Sequence, residues 1–185
     1  MADVDVIIVN YHSAALVHNC VRSVRDGART DGVTVNIAVV NNSTDGMALA
    51  SAVERAGGAA IIQNEANVGF GRACNIGARH GTAAILLFLN PDAMLMPGCL
   101  GAVVGFLGDP VNRAVGIVGP ELVDTAGSVI PSCSNLPSAG SLIGRTLGVH
   151  LMFPGFAAPY LPLAAHDAAH DADRDGQSDS RQQEH

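Results

Sequence analysis

The sequence contains no lysine and no tryptophan, and aromatic residues make up only 4% of it. Its basic residues are all arginines, which are spread along the chain rather than clustered, and the formal net charge is −7. Nucleic-acid-binding domains usually carry a basic patch or stripe on one face. The composition therefore argues against nucleic acid as a partner.

The sequence also lacks closely spaced cysteines. Cys20, Cys74, Cys99 and Cys133 lie far apart, with neither a CxxC pair nor a cysteine and histidine at zinc-ligand spacing. Free cysteine behaves as a small apolar side chain and is usually buried. We therefore expect reduced, structural thiols rather than disulfides or a zinc site.

Long apolar segments are absent as well. No run reaches the roughly 20 apolar residues of a membrane span, and the nearest candidate, residues 139–165, carries Arg145, His150 and several prolines. The first residues show neither the basic start nor the apolar stretch of a signal peptide. We expect a cytoplasmic protein, in which residues 139–165 could contact the inner face of the membrane but not cross it.

The sequence does contain an alternation of strand and helix patterns. Four short apolar runs predict strands, at 4–9, 35–40, 60–63 and 83–89. Apolar residues at helical spacing follow each run, with Ser13 and Asp45 placed as the N-caps of the first two helices. This alternation is typical of a parallel α/β sheet. The wholly apolar run at 83–89 is typical of a strand that is buried on both faces.

The alternation weakens toward the end of the chain. Residues 115–118 predict one more strand, and residues 121–130 predict a hairpin around Ala126 and Gly127. We expect one folded domain over residues 1–158. Residues 159–185 are rich in Asp, His, Gln and Ser and poor in core-forming residues, which predicts a polar disordered tail.

Each of the four predicted strands ends at an asparagine: Asn10, Asn41, Asn64 and Asn90. Ligands of open parallel sheets bind outside the carboxyl ends of the strands. Asparagine is also a good turn residue, because it can adopt the left-handed conformation and bond its own backbone. That explanation suffices for any one of the four, but four polar ends on one edge favour a common site.

Four stretches together carry a resemblance to a known family: VIIVNYHSAALVHNCVRSV, VVNNSTDG, NEANVGFGRACNIGARH and ILLFLNPDAMLMPG. In order and spacing they resemble family 2 glycosyltransferases of the GT-A fold, and the last two most resemble the rhamnosyltransferase branch. The resemblance extends from about residue 4 to about residue 155. It implies a Rossmann-like, mostly parallel sheet flanked by helices that binds a nucleoside-diphosphate sugar.

The resemblance implies roles for residues that follow the first two strands. Asn10 and Tyr11 lie where the base and ribose of the donor are held, and Asn41 takes the place of an acidic residue that often contacts the base. An amide can still pair with a pyrimidine edge, but the exchange leaves the preferred nucleotide open. Asp45 is placed near the nucleotide, although a helix N-cap, which stabilises by about 1 kcal/mol, explains it without a ligand.

The stretch NVGFGRACNIG is implied to contact the donor through Asn67, Gly69, Gly71, Arg72 and Asn75. Glycine lets the backbone pass close to a phosphate, and Arg72 and Asn75 stand near a helix start, where anions are favoured. Gly69 and Gly71 also match part of a dinucleotide fingerprint. However, Cys74 replaces its third glycine, and the stretch follows the third strand rather than the first.

Asn90, Pro91 and Asp92 occupy the position of the family's DxD motif, which holds a divalent ion against the donor diphosphate. The resemblance implies that Asp92 binds Mg²⁺ or Mn²⁺ and that Asn90 lies at the donor. Such hard cations accept one or two protein carboxylates together with phosphate oxygens. A plain turn after a buried strand is the alternative, because Asn-Pro often starts turns.

The family's general base is not recognisable in this sequence. In an inverting transfer this base takes the proton of the acceptor hydroxyl, and in the family it belongs to an acidic pair well after the NPDA stretch. No matching pair follows Phe153, so we expect a chain truncated at its C-terminus.

Two hypotheses follow. The first is a glycosyltransferase that transfers a sugar, such as the deoxysugar rhamnose, to a saccharide or lipid-linked acceptor of a cell-surface polysaccharide or glycolipid. The second is a non-catalytic remnant that binds a nucleotide or a partner.

We predict that the chain on its own transfers sugar slowly or not at all, because general-base assistance contributes about 10²–10⁴-fold to such a step. The measurement is release of nucleoside diphosphate from a labelled deoxysugar donor, with metal and a saccharide or lipid-linked acceptor present. Turnover in the usual enzymatic range of about 1–10³ s⁻¹ would show that this chain does contain a base.

Overall fold

The computed structural model describes residues 2–130. The chain divides into two compact units, Met1–Pro120 and Glu121–His185. The predicted domain boundary at residue 158, the predicted disordered tail at 159–185 and Cys133 all lie outside the described residues.

The first unit is an α/β fold in which strands and helices alternate. Its strands are β1 (Val4–Asn10), β2 (Val35–Asn41), β3 (Ala60–Gln63) and β4 (Ile85–Leu89). Its helices are α1 (Ala14–Asp31), α2 (Gly46–Arg55), α3 (Phe70–Ala78) and α4 (Cys99–Gly108), followed by a 3₁₀ turn at Pro110–Asn112. The four predicted strands are all present, and the predicted α/β class is confirmed.

The four strands form one parallel sheet in the order β3-β2-β1-β4. In this register Asn10 lies opposite Asn41, and Ile8 lies opposite Leu89. The carboxyl ends of all four strands therefore lie along one edge of the sheet. The sequence predicts this convergence of strand ends, and the register confirms it.

The core has one cluster of apolar side chains on each face of the sheet. On one face, Val6 and Ile8 of β1 pack with residues of α1 and α2. On the other face, Ile7 and Val9 pack with residues of α3. This division follows from the two-residue period of a strand, and it leaves β1 buried along its whole length.

β4 is less buried than its composition predicts. Leu86 and Phe88 are 44% and 47% exposed, so the expectation that both faces of this strand are buried is wrong. Among the described strands β4 lies at the edge of the sheet, and α3 packs mainly against β1 and β2. An apolar run does not by itself distinguish a central strand from an edge strand.

The strand predicted at 115–118 does not form. This segment has no regular secondary structure, and Ile117 is 92% exposed. The backbone N–H of Val115 donates to the carbonyl of Asn112 and closes a turn after the 3₁₀ helix. Nearby glycines also weaken an extended run, because they have no side chain to pack.

The described part of the second unit is a β-hairpin, which confirms the prediction for residues 121–130. Its strands, β5 (Leu122–Val123) and β6 (Val129–Ile130), pair in antiparallel fashion. Oδ1 of Asp124 accepts hydrogen bonds from the backbone N–H groups of Ala126 at 2.8 Å and Ser128 at 2.9 Å. The positive φ of 82° at Gly127 completes the turn, in a conformation that favours glycine.

Two observations bear on the cysteines and on the membrane. Cys20, Cys74 and Cys99 are free thiols, and Cys20 and Cys74 are buried. No helix within residues 2–130 combines the length and apolar character that a bilayer crossing requires.

Helix α3 approaches the sheet closely at Gly77. A Cβ atom at this position would lie 2.6 Å from Cγ2 of Ile7 and 3.0 Å from Cγ2 of Val40. We predict that Gly77→Ala lowers the free energy of unfolding, measured with urea, by about 1–3 kcal/mol, the usual range for overpacking a dense core. A Cβ atom at Gly105 of α4 would have no neighbouring atom of the described residues within 4 Å, so Gly105→Ala should instead stabilise the fold by up to about 1 kcal/mol. Equal effects of the two changes would contradict the packing explanation.

Candidate functional site

A polar cleft of about 240 Å³ opens at the carboxyl edge of the parallel sheet. It is formed by the segments that follow β1, β2 and β3. Its lining residues are Tyr11, His12, Asn42, Ser43, Thr44, Gln63, Asn64, Glu65, Ala66 and Asn67. Because open α/β sheets bind their ligands at this edge, the cleft is the candidate functional site.

Asn10 and Asn41 do not line the cleft but lie behind it, fully buried. Nδ2 of Asn10 donates to Oδ1 of Asn41 at 2.8 Å, and Nδ2 of Asn41 donates to Oε1 of Gln63 at 2.9 Å. The carbonyl oxygen of the Asn10 side chain accepts from the backbone N–H and the hydroxyl of Ser13, at 3.0 and 2.9 Å. Side-chain hydrogen bonds therefore join the ends of β1, β2 and β3.

Ser43 and Asp45 extend this network from the loop between β2 and α2. The hydroxyl of Ser43 donates to Oδ1 of Asp45 at 2.5 Å, and Nδ2 of Asn10 donates to the same oxygen at 3.0 Å. Burial raises the pKa of Asp45, but the hydrogen bonds from Ser43 and Asn10 favour the carboxylate, and the pKa lies below its ordinary value of 3.8. Asp45 is therefore an anion at neutral pH that is held by neutral donors. We call these four residues, Asn10, Asn41, Ser43 and Asp45, the strand-end network.

The capping roles predicted for Ser13 and Asp45 are wrong. Both residues stand at N-cap positions, but neither side chain bonds its own helix. Ser13 donates to Asn10, while Asp45 accepts from Asn10 and Ser43. The physical reason is that buried amides and hydroxyls need a partner inside the protein, whereas groups at a helix start can bond to water.

Tyr11 and His12 continue from β1 into the cleft. Tyr11 is 56% exposed, and its ring meets the imidazole of His12 edge to face, with ring centroids 4.7 Å apart and planes at 64°. His12 has a φ of +53°, the only positive φ at a residue other than glycine within residues 2–130. Its backbone N–H donates to the hydroxyl oxygen of Ser43 at 3.1 Å.

The segment between β3 and α3 contributes Asn64 and Asn67 to the cleft. Nδ2 of Asn64 donates to Oδ1 of Asn42 at 2.7 Å, and Oδ1 of Asn67 accepts from the backbone N–H of Gly69 at 2.9 Å. Gly69 has a φ of +83° and stands directly before the first residue of α3. The loop thus reaches the helix through a conformation that favours glycine. Three exposed residues follow on α3: Gly71, Arg72 and Asn75.

Asn90 and Asp92 follow β4 at the same edge of the sheet, and both are exposed. The backbone carbonyl of Asn90 accepts from the thiol of Cys20 at 3.5 Å. Burial and, to a smaller extent, the negative charge of Asp92 raise the pKa of the Cys20 thiol to about 12. This thiol is therefore protonated and unreactive at neutral pH.

Asp92 supplies the kind of oxygen ligand that Mg²⁺ and Mn²⁺ accept. Within residues 2–130, no group of three or more His, Cys, Asp and Glu side chains could hold a metal ion by itself. The residues present therefore fit a cation that completes its coordination with oxygens of a bound molecule or water, and they do not fit a site made of protein ligands alone.

The predicted site residues fall into three positions. Two of them line the cleft, Tyr11 and Asn67. Three belong to the strand-end network: Asn10, Asn41 and Asp45. The others lie directly before α3, on α3 and after β4: Gly69, Gly71, Arg72, Asn75, Asn90 and Asp92. Their binding roles remain predictions.

The cleft also contains residues that the sequence analysis does not single out: His12, Ser43, Gln63 and Glu65. Gln63 could have been found from the register, because it lies opposite Asn41. Ser43 lies inside the NNSTDG stretch, between the predicted site residues Asn41 and Asp45. Nothing in the sequence predicts a positive φ at a histidine.

The chain belongs to glycosyl transferase family 2, whose sequence model matches residues 5–148. The matched range contains the cleft, the strand-end network and Asp92. The predicted family is thereby confirmed. A comparison with curated proteins finds no match.

Among solved structures, the chain is similar to crystal structures of S. aureus TarS. TarS 1-349 matches with a TM-score of 0.49 and 20% identity, over 57% of this chain and 32% of the TarS chain. Its complex with UDP-GlcNAc matches with a TM-score of 0.49 and 19% identity, over 57% of this chain and 31% of that one. Its complex with UDP matches with a TM-score of 0.48 and 18% identity, over 57% and 32%. The chain thus spans about a third of these TarS chains.

We predict that Asp45→Asn destabilises the fold at neutral pH, because the carboxylate accepts from Ser43 and Asn10. Since the folded-state pKa of Asp45 lies below 3.8, its contribution is complete above that value and is lost as the pH falls through the folded-state pKa. The difference in unfolding free energy between the parent and Asp45→Asn, measured with urea from about pH 7 down to about pH 3, should therefore become smaller at the acidic end.

Asp26→Asn is the matched control, because Asp26 forms exposed ion pairs with Arg22 and Arg29 at the surface of α1. Exposed ion pairs contribute little, so this change should have a small effect at every pH. A loss for Asp45→Asn that does not vary with pH would contradict the role of its charge.

Proposed function

We propose that this chain binds the nucleoside diphosphate of a sugar donor at the carboxyl edge of its sheet, as the donor-binding part of a family 2 glycosyltransferase. The observation that carries the proposal is the polar cleft formed where β1, β2 and β3 end. Its position is the one at which open α/β sheets take their ligands, and it lies within the range that matches the family.

The chemistry of the cleft suits a nucleoside. Tyr11 offers an exposed aromatic ring on which a base can stack, and Asn64 and Asn67 also line the cleft. In this proposal Asn10 and Asn41 support the cleft from behind. Their amide groups are already bonded within the protein and are fully buried.

The diphosphate is proposed to lie toward the start of α3. No neighbouring atom of residues 2–130 lies within 4 Å of a Cβ built on Gly69 or Gly71, so a phosphate can come close to the backbone there. Arg72 supplies a positive charge, and the N-terminus of the helix favours an anion. Asn75 and Asn90 are polar groups at the same edge that we assign to the donor.

Asp92 is proposed to bind Mg²⁺ or Mn²⁺ together with oxygens of the donor diphosphate. When bound, such an ion neutralises the charge that develops on the leaving diphosphate. The contribution of the chain is a single carboxylate, which is exposed after β4 and therefore accessible to a ligand at that edge.

The complete reaction we propose is transfer of a sugar, with inversion, to a cell-surface polysaccharide or glycolipid in the cytoplasm at the inner face of the membrane. The rhamnosyltransferase-like motifs in the sequence support a deoxysugar donor. A second candidate is a non-catalytic nucleotide-binding protein. It is favoured by one observation: within residues 2–130, Glu65 is the only carboxylate that lines the cleft.

We predict that calorimetry with UDP, dTDP and GDP finds metal-dependent binding of at least one of them. Asp92→Ala should weaken that binding about tenfold or more, equivalent to about 1.4 kcal/mol, and the loss should disappear when metal is omitted. Asp26→Ala, on the surface of α1, is the control and should bind like the parent. Equal binding by Asp92→Ala and the parent would exclude the metal role. Absence of binding by the parent would exclude the proposed function.

A further inference from the structure

The backbone of His12 adopts a conformation that is uncommon for residues other than glycine. Its φ of +53° lies in the left-handed region, where the Cβ atom of an L-residue is crowded by the following carbonyl oxygen. Such conformations persist only where the surroundings impose them. The residue His12 is exposed, so the restraint must act on its backbone.

Ser43 supplies that restraint. Its hydroxyl oxygen accepts from the backbone N–H of His12 at 3.1 Å and from Nδ2 of Asn10 at 3.2 Å. A hydroxyl has one proton to donate and two lone pairs to accept with. Asp45 lies 2.5 Å from this oxygen and, as an anion, is the strongest acceptor nearby. The proton therefore points to Asp45, and both lone pairs are left for His12 and Asn10.

We infer that Ser43 is a positioning residue: its hydroxyl, oriented by Asp45, holds His12 in the left-handed conformation and so sets the Tyr11–His12 ring pair as the wall against which the donor's base lies. This inference rests on the proposed function for the identity of the ligand. The ligand chemistry is that of a flat aromatic base, because Tyr11 is an exposed aromatic residue whose ring meets that of His12 edge to face.

The position of this wall can be measured without any ligand. The sequence has two tyrosines, Tyr11 and Tyr160, and no tryptophan, so Tyr160→Phe leaves Tyr11 as the dominant fluorophore. In that background we expect Ser43→Ala to increase quenching of Tyr11 by acrylamide, because the released loop exposes the ring further. Unchanged quenching in folded Ser43→Ala protein would overturn the inference.

A second pair of variants tests the backbone of His12 and leaves the buried network intact. Asparagine adopts the left-handed region readily, whereas a β-branched residue does not. Since His12 is exposed, both His12→Asn and His12→Val should fold, and both lack the imidazole ring. We expect Tyr11 to be quenched more strongly in His12→Val than in His12→Asn. Equal quenching in the two variants would overturn the inference. This comparison decides the question even if Ser43→Ala fails to fold.

Binding of UDP, dTDP or GDP in the presence of Mg²⁺ then tests whether the Tyr11–His12 wall contributes to nucleotide binding. For whichever nucleotide the parent binds most tightly, we expect Ser43→Ala and His12→Val to raise the dissociation constant about tenfold, and His12→Asn to raise it distinctly less. A changed Tyr11 signal with unchanged affinity would overturn the role of the wall in binding. If the parent binds none of the three, the proposed function fails, and the quenching experiments alone decide whether Ser43 positions Tyr11 and His12.

Discussion

The hydrogen bond between the side chains of Asn10 and Asn41 is the interaction on which the rest of the candidate site depends. It forms because parallel pairing places these residues opposite each other at the last position of two neighbouring strands. Fully buried amides must find partners inside the protein, and here they find each other, Ser43, Asp45 and Gln63. Without this satisfied network the edge would consist of unpaired polar groups beneath a cleft.

The sequence predicts the architecture well because its signals are local. Apolar runs of strand length alternate with helical spacing, and this alternation is enough to indicate β1 to β4 and the sheet edge at which Asn10, Asn41 and Asn90 meet. Exposure on β4 could not be predicted in this way. The exposure of Leu86 and Phe88 depends on which strand is at the edge and on where α3 lies, and neither is encoded in the run itself.

The sequence indicates which residues belong to the site better than it indicates the contacts that they make. Asn10 and Asn41 were identified by their position at strand ends, but the partners that occupy their amides come from three different segments of the chain. Asp45 illustrates the same limit. A residue of this type directly before a helix is predicted to cap it, whereas the buried side chains of Asn10 and Ser43 bond to its carboxylate instead. His12 carries no sequence signal, since its conformation is imposed by a hydroxyl that lies 31 positions away in the chain.

The network also bears on the dynamics of the surface loops. The segments that follow β1 and β2 are short connections between a strand and a helix, and such loops usually open locally at little free-energy cost. Here Asn10 and Ser43 join one loop to the other behind the cleft. The amide of His12 would consequently exchange its hydrogen with solvent only when both segments open together, at a rate closer to that of the central strands than to that of a free loop.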